Sequence, residues 1–278
     1  MARMTGGRYM AEIFKGYGVT HAFLVPVIAR RAMVEMGELG ITRVITHGEK
    51  AAAYMADGYA RASNRVGVCM AQSVGAANLA AGLQDAYLGL SPVIAITGHR
   101  PPMHMYRNSY QEIDHIQPFS AVTKYSAMVD DVEQLPYLLR QAFREATSGA
   151  TAPVHLDLQG SSGDVIADAE ADLELIIEAD FLQRPSFRPE PEPAKVREAA
   201  QLLATAQRPV IVAGGGVTSS GAQREIVELA EMLSIPIATS LNAKGAVPED
   251  HRLAVGVVGS YSRRPANQVV SEADMVVF

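Results

Sequence analysis

The chain predicts an α/β fold made of two doubly wound parallel-sheet domains, the second truncated at its C-terminal end. Three observations carry that reading. Helical and strand patterns alternate over short connections from residue 5 to about 160, and again from 194 onward, as they do where parallel strands are joined by crossover helices. The strand segments, such as Val66-Gly67-Val68-Cys69-Met70, are almost wholly apolar, which fits strands covered on both faces. Between the two alternating stretches lies QRPSFRPEPEP at 183–193, with four prolines among polar residues, the composition of a linker.

The elements follow in order. In residues 5–17, Met10, Ile13, Phe14 and Tyr17 recur at three- and four-residue spacing and predict a helix with one apolar stripe. Gly16 and Gly18 close it, and His21–Val25 reads as a strand. A second helix runs to about Glu38, is closed by Gly40, and leads to a strand at 42–45. Helix 49–62, strand 66–70, helix 76–87 and strand 92–96 come next. A long loop over 97–112 is followed by strand 122–127, helix 132–147 and strand 153–158. In the second stretch, helix 194–205 leads to strand 209–213 and Gly214-Gly215-Gly216. Helix 221–233, strand 235–239, helix 265–272 and a strand opening at Asp274 complete it. Ending on apolar strand residues, the chain is expected to be part of a longer polypeptide. The domains are therefore expected at 1–165 and 194–278, with 166–193 between them.

Composition narrows the function. The net charge is −6, and the 24 Lys and Arg residues are scattered, so no basic stripe suits nucleic acid or an anionic membrane. Arg30-Arg31 reads as a solvated helix face. No apolar run reaches membrane-span length and no signal-like leader opens the chain. The single cysteine, Cys69, excludes an internal disulfide, fits a reducing cytoplasm and reads as an inert core thiol. His99, His104 and His115 have no metal-ligand spacing and read as surface loop residues; no metal site is expected.

In a parallel sheet, ligands sit beyond the carboxyl ends of the strands, here the loops after residues 25, 45, 70 and 96. One of those loops opens Thr46-His47-Gly48-Glu49-Lys50-Ala51-Ala52-Ala53, a strand end followed by a small-residue helix with an acid in its first turn. Helix-dipole stabilisation alone explains such a glutamate. The wider pattern adds to this. HGEKAAAYMADGYARAS at 47–63 resembles the H-E-x-x-A-x-x-x-A-x-G-Y-A-R segment of the acetolactate synthase family of thiamine-diphosphate enzymes, with one residue between His47 and Glu49. Gly75-Ala76-Ala77-Asn78 resembles that family's glycine loop, and Ser91–Gly98 its P-hydrophobic-hydrophobic-x-I-T-G strand. Tyr110-Gln111-Glu112 is similar to F-Q-E, Val122-Thr123-Lys124 to V-T-K, and Ala152–Leu158 to G-P-V-x-x-D-x-P. Farther on, Lys244–His251 is similar to K-G-x-x-P-E-D-H and Glu272-Ala273-Asp274 to E-A-D. The similarity is collinear from residue 4 to 278, and benzaldehyde lyase shares part of it.

The resemblance implies that residues 1–165 hold the aminopyrimidine ring of thiamine diphosphate, with Glu49 bonding a ring nitrogen. A carboxyl in a dry, alanine-lined pocket would carry and share a proton near neutral pH. By the same resemblance Gln111 faces the substrate, while Pro26, Gly75 and Asn78 lie against the cofactor. The implied reaction is C–C bond cleavage or formation on a 2-oxo acid or 2-hydroxy ketone. The implied assembly is a homodimer or homotetramer, with Mg²⁺ and diphosphate ligands on a domain beyond Phe278. The second domain has relatives that bind FAD or a nucleotide and others that bind neither. Here Ser219 takes the place of the last glycine of G-x-G-x-x-G, so an empty, structural role is expected and flavin is left open.

Two loops depart from the family. Leu24-Val25-Pro26-Val27 stands where G-x-P-G is usual, and valine resists a positive φ, so either the turn or the pocket differs. Ser73-Val74-Gly75 stands where G-P-G is usual and keeps one of the two glycines. These changes leave a second reading open, a catalytically silent homologue with a structural or nucleotide-binding role.

Overall fold

The computed structural model describes residues 2–278. It divides into two compact units, one ending at Phe187 and the other spanning Arg188–Phe278. The first unit runs β1 (Ala2–Thr5), α1 (Gly6–Gly16), β2 (His21–Leu24), α2 (Arg30–Glu38), β3 (Thr42–Ile45), α3 (Glu49–Ser63), β4 (Gly67–Met70), α4 (Ala76–Gly82), α5 (Gln84–Leu88), β5 (Val93–His99), α6 (Ile116–Ser120), β6 (Tyr125–Val129), α7 (Leu135–Thr147), β7 (Val154–Gln159), α8 (Asp164–Asp168) and β8 (Glu170–Leu173).

Six of these strands form one parallel sheet in the order β3-β2-β4-β5-β7-β6. Alternate residues of each strand bury opposite faces, as a two-residue side-chain repeat requires. Ala22, Leu24, Val68, Met70, Ile94 and Ile96 pack with Tyr9, Ile13, Phe14, Leu139 and Phe143 on one side. Phe23, Cys69, Val93 and Ala95 pack with Ala52, Ala53, Ala56, Leu79 and Leu83 on the other. Burying one large aliphatic side chain in such a layer contributes about 1.5–3 kcal/mol. The chain passes from β2 out to β3, then back across β2 to β4, so the winding direction reverses between β2 and β4. That reversal opens a crevice at the carboxyl ends of these strands.

The second layer has small residues because its helices lie close. A methyl group added at Gly82 of α4 would come within 2.7 Å of both the Ala53 Cβ and the Lys50 carbonyl oxygen of α3. The helix expected at 76–87 is two helices, α4 and α5, divided at Leu83. Cys69 is fully buried and its thiol pKa is pushed up by burial, which keeps it in the unreactive thiol form. Arg30 and Arg31 are exposed.

Residues 166–187, expected as part of a linker, belong to the first unit instead. β8 pairs antiparallel with β1, Ala2 opposite Leu173 and Thr5 opposite Glu170. The Tyr9 hydroxyl donates to the Glu174 carbonyl at 2.9 Å, and Glu178 accepts from both Arg140 and Arg144. These partners lie far apart in sequence, so local pattern gave no sign of them.

The second unit is a four-stranded parallel sheet, order β11-β10-β9-β12, built from α9 (Pro193–Thr205), β9 (Pro209–Ala213), α10 (Gly215–Ser220), α11 (Gln223–Leu233), β10 (Ile237–Thr239), β11 (Ala254–Val257), α12 (Arg264–Glu272) and β12 (Met275–Val277). Ile211, Ala213, Ala230, Ile235, Ile237 and Val247 form one core, with Val212, Ala238 and Ala266 on the opposite face. Among the described residues no helix is long and apolar enough to cross a membrane.

Candidate active site

The crevice between β2 and β4 gathers most of the residues singled out from the sequence. Glu49 is the first residue of α3, entered from an extended Gly48. Across the crevice, the loop after β4 forms a short 3₁₀ turn over Ser73–Gly75 and runs directly into α4. The Asn78 side-chain amide on α4 donates to Glu49 Oε2 at 3.1 Å. The other carboxylate oxygen faces the bare side of Gly75, where an added Cβ would lie 2.5 Å from Oε1 and 2.7 Å from Cδ and Cγ. Gly75 has φ −78° and ψ −11°, so no unusual backbone angle demands glycine there. Close approach of the carboxylate does.

Glu49 is half-buried, which corrects the expectation of a dry alanine pocket. Ala52, Ala53 and Ala56 lie one and two turns further along α3 and face the helix–sheet core, whereas Glu49 sits at the open rim. Pro26 is exposed in the loop after β2 on the same rim. Val27 keeps an ordinary backbone, and the left-handed residue of that loop is Ala29, with φ 41°. The valine at 27 therefore takes no left-handed conformation, and that strain falls on Ala29 at the start of α2.

Gln111 lies in the long loop after β5 with φ 63°, a conformation that costs a non-glycine residue about 1–2 kcal/mol. Neighbouring bonds hold the loop. The Glu112 carboxylate accepts from the backbone amides of Tyr106, Arg107 and Ser109 and from the Ser109 hydroxyl. The Ser109 amide above all, opposed by partial desolvation, keeps the Glu112 pKa below its usual value. Arg100 Nε donates to the Tyr110 carbonyl at 2.7 Å. Ser73 Oγ donates to the Gln111 carbonyl at 2.6 Å, joining this loop to the one that carries Gly75. A cavity of about 480 Å³ opens beside it, lined by His99, Arg100, Met105, Glu112 and Ile116 among others.

Behind the rim is a polar cluster that sequence reading missed. His99 and His115 are 3% and 1% exposed, which overturns their assignment as surface residues; His104 is exposed as expected. Asp157 on β7, fully buried, accepts from His115 Nδ1 at 3.1 Å and from Thr97 Oγ1 at 2.6 Å. His99 Nε2 meets Asp130 Oδ1 at 3.1 Å, and its Nδ1 lies 3.5 Å from Asp157 Oδ2. His155 bonds Thr97 Oγ1 at 2.6 Å and Ser126 Oγ at 2.8 Å and stacks on Phe119. A hint was present in the sequence: Thr97 with His99, and His155 with Asp157, place polar residues two apart on otherwise apolar strands. Thr97 pairs with Asp157 and Ala95 with His155, so all four polar side chains share one face. Among the described residues no group of three or more His, Cys, Asp or Glu is placed to hold a metal ion.

Charge in this cluster responds to pH. Burial pushes the His155 pKa down to about 3, against the pull of Asp157. Burial alone would raise Asp157, but the hydrogen bond from His115 and the nearby His99 ring outweigh it and hold the carboxyl below its usual range. Burial would lower His99, yet the neighbouring carboxylates of Asp157 and Asp130 raise it. The signs differ. Between 6.5 and about 3 the unfolded chain binds a proton at position 155 that the folded chain refuses, so stability falls as pH falls. Asp157 acts in the same direction as pH drops below 3.8. His99 contributes stability below 6.5 that is lost as pH rises through its folded value. Urea midpoints should therefore fall from about pH 6 to about pH 4, and less steeply in His155→Gln. An equal fall in both proteins would contradict this assignment.

Residues 4–117 match the family described as the thiamine pyrophosphate enzyme N-terminal TPP binding domain, and residues 196–278 match the thiamine pyrophosphate enzyme central domain. A probable acetolactate synthase large subunit of Methanocaldococcus jannaschii is 41% identical over 278 residues, covering 99% of this chain and 46% of the relative. The chain belongs to the thiamine-diphosphate enzyme family of acetolactate synthase type. The acetolactate synthase of Arthrospira platensis is 34% identical over 99% of this chain and 48% of its own length. The Escherichia coli acetolactate synthase isozyme 1 large subunit is 33% identical over 85% of the chain and 41% of its own. The chain spans about half the length of the curated relatives it matches. Within this family the crevice bearing Glu49, Gly75 and Asn78 falls inside the segment matched to the TPP binding domain. In the segment matched to the central domain, the three glycines open only the six-residue α10, so their geometry adds no support for flavin. A cavity of about 640 Å³ in that unit is lined by Lys244, Gly256, Tyr261 and Arg263 among others.

Proposed function

We propose that this chain contributes the pyrimidine-binding half of a thiamine-diphosphate site that makes or breaks C–C bonds in 2-oxo acids or 2-hydroxy ketones. The observation that carries the reading is the Glu49 carboxylate, closed on one side by Gly75, steadied by Asn78 and open on the other. A flat ring would approach this carboxylate from the open rim. The missing Cβ at Gly75 leaves backbone and carboxylate free to approach one plane, and the half-buried position leaves an approach from the rim. When bound, thiamine diphosphate supplies a nucleophilic carbon and an electron sink.

The residues of this chain do the rest. Glu49 would hold a proton at its carboxylate for exchange with a ring nitrogen. Asn78 steadies that carboxylate through Oε2. Gly75 and Pro26 would border the ring, and Gln111 would face the substrate. The diphosphate and Mg²⁺ are assigned to residues outside these 278, brought in by a homodimer or homotetramer. Calorimetry on the native polypeptide with Mg²⁺ should register thiamine diphosphate uptake, and a panel of 2-oxo acids should reveal turnover. A protein that binds no cofactor would leave the silent-homologue reading in its place.

A further inference from the structure

We infer that Asp157, His115 and Ser73 form a buried positioning relay that fixes the Gln111 turn beside the Glu49–Gly75 contact. The consequence for substrate rests on the function proposed above; the relay itself does not. Asp157 receives His115 Nδ1 on both carboxylate oxygens at 3.1 Å. The opposite ring nitrogen, Nε2, lies 3.2 Å from Ser73 Oγ, and Ser73 Oγ donates to the Gln111 carbonyl at 2.6 Å. The Ser73 hydroxyl thus meets both the His115 ring and the Gln111 carbonyl. The ring bridges Asp157 and Ser73, and each contact fixes the next.

These are the atoms of a serine–histidine–aspartate triad, but they are not arranged for acyl transfer. Ser73 is 1% exposed, and its hydroxyl points at a backbone carbonyl rather than into a cleft. What the chain of bonds does is hold a turn. Gln111 has φ 63°, a conformation that persists only where its surroundings over-determine it. Its carbonyl is the point at which the buried cluster grips the loop. Ser73 stands where related enzymes have a glycine, which has no hydroxyl to offer, so the departure in this loop gains a purpose. Thr97 Oγ1 and the neighbouring His99 support the same carboxylate from β5.

Hydrogen exchange on the native polypeptide tests the relay directly. Ser73→Ala should speed backbone exchange over residues 109–113 by about five- to tenfold, the effect of losing one hydrogen bond, while α1 and α7 stay unchanged. Ser73→Thr, which keeps the hydroxyl, should restore the wild-type rate. His115→Phe should match Ser73→Ala, and the double variant should be no faster than either single one, because both cut one path. In the cofactor-loaded protein, Ser73→Ala should lower kcat/KM for the 2-oxo acid by about tenfold and leave cofactor affinity within about twofold. Unchanged exchange at 109–113, additive effects, or failure of threonine to rescue would overturn the relay. A wild type that takes up no thiamine diphosphate would instead overturn the proposed function, and the exchange results would still decide the relay.

Discussion

Glu49→Gln is expected to reduce turnover by about 10²- to 10⁴-fold, the span credited to a positioned general acid or base. Glutamine keeps the length of the side chain and its contact with Asn78. It cannot carry and return a proton. The fold should not notice, because Glu49 is a half-buried rim residue outside both core layers, and substitutions of that kind stay within about 0.5 kcal/mol. Cofactor affinity should drop far less than turnover, about tenfold for one bond to a charged group. Steady-state kinetics beside a thermal melt separate these effects. Lys50→Gln, one residue on and exposed, is the control and should behave as wild type. A Glu49→Gln protein retaining more than about a tenth of the activity would remove the acid–base role.

Gly75→Ala is expected to cost about 10²-fold or more in kcat/KM while leaving the fold intact, the effect of displacing a reacting group by about 1 Å. The cause is steric. The backbone at Gly75 is right-handed helical, so alanine meets no conformational penalty there. Its methyl group would sit 2.5 Å from Glu49 Oε1, and the glutamate side chain, being flexible, would swing aside. Stability should change by less than about 1 kcal/mol because the clash is relieved without moving backbone. If the damage is done through Glu49, the Gly75→Ala/Glu49→Gln pair should be barely worse than Glu49→Gln alone. Multiplying losses would mean that Gly75 serves some other purpose. Kinetics on the three variants decides between the two.

Much of this arrangement was legible before any coordinates. Apolar runs such as Val66–Met70 announce a sheet buried on both sides, and the collinear motifs placed Glu49 and Gly75 on neighbouring loops of one rim. The structure adds that they touch. What escaped detection depends on partners distant in sequence. β1 and β8 are short, partly polar strands whose pairing joins residues 2–5 to 170–173, so each looks like a loop alone. His115 sits in a polar loop, and only the fold brings Asp157 to its ring. Burial of a histidine is invisible in sequence unless its carboxylate partner is also known. The half-exposed setting of Glu49 was missed for a related reason. Helical periodicity turns Ala52, Ala53 and Ala56 inward but does not say how far the first residue of the helix stands above the core.

Proton exchange between Glu49 and the cofactor is the central step proposed, and it can be timed. In deuterated buffer, NMR of the quenched cofactor reports how fast the thiazolium carbon loses its proton on the native Mg²⁺-loaded protein, without substrate. Wild type should accelerate that exchange at least about 10²-fold over cofactor free in solution, and Glu49→Gln should lose nearly all of the gain. Equal exchange rates in the two proteins, both with cofactor bound, would contradict the role assigned to this carboxylate.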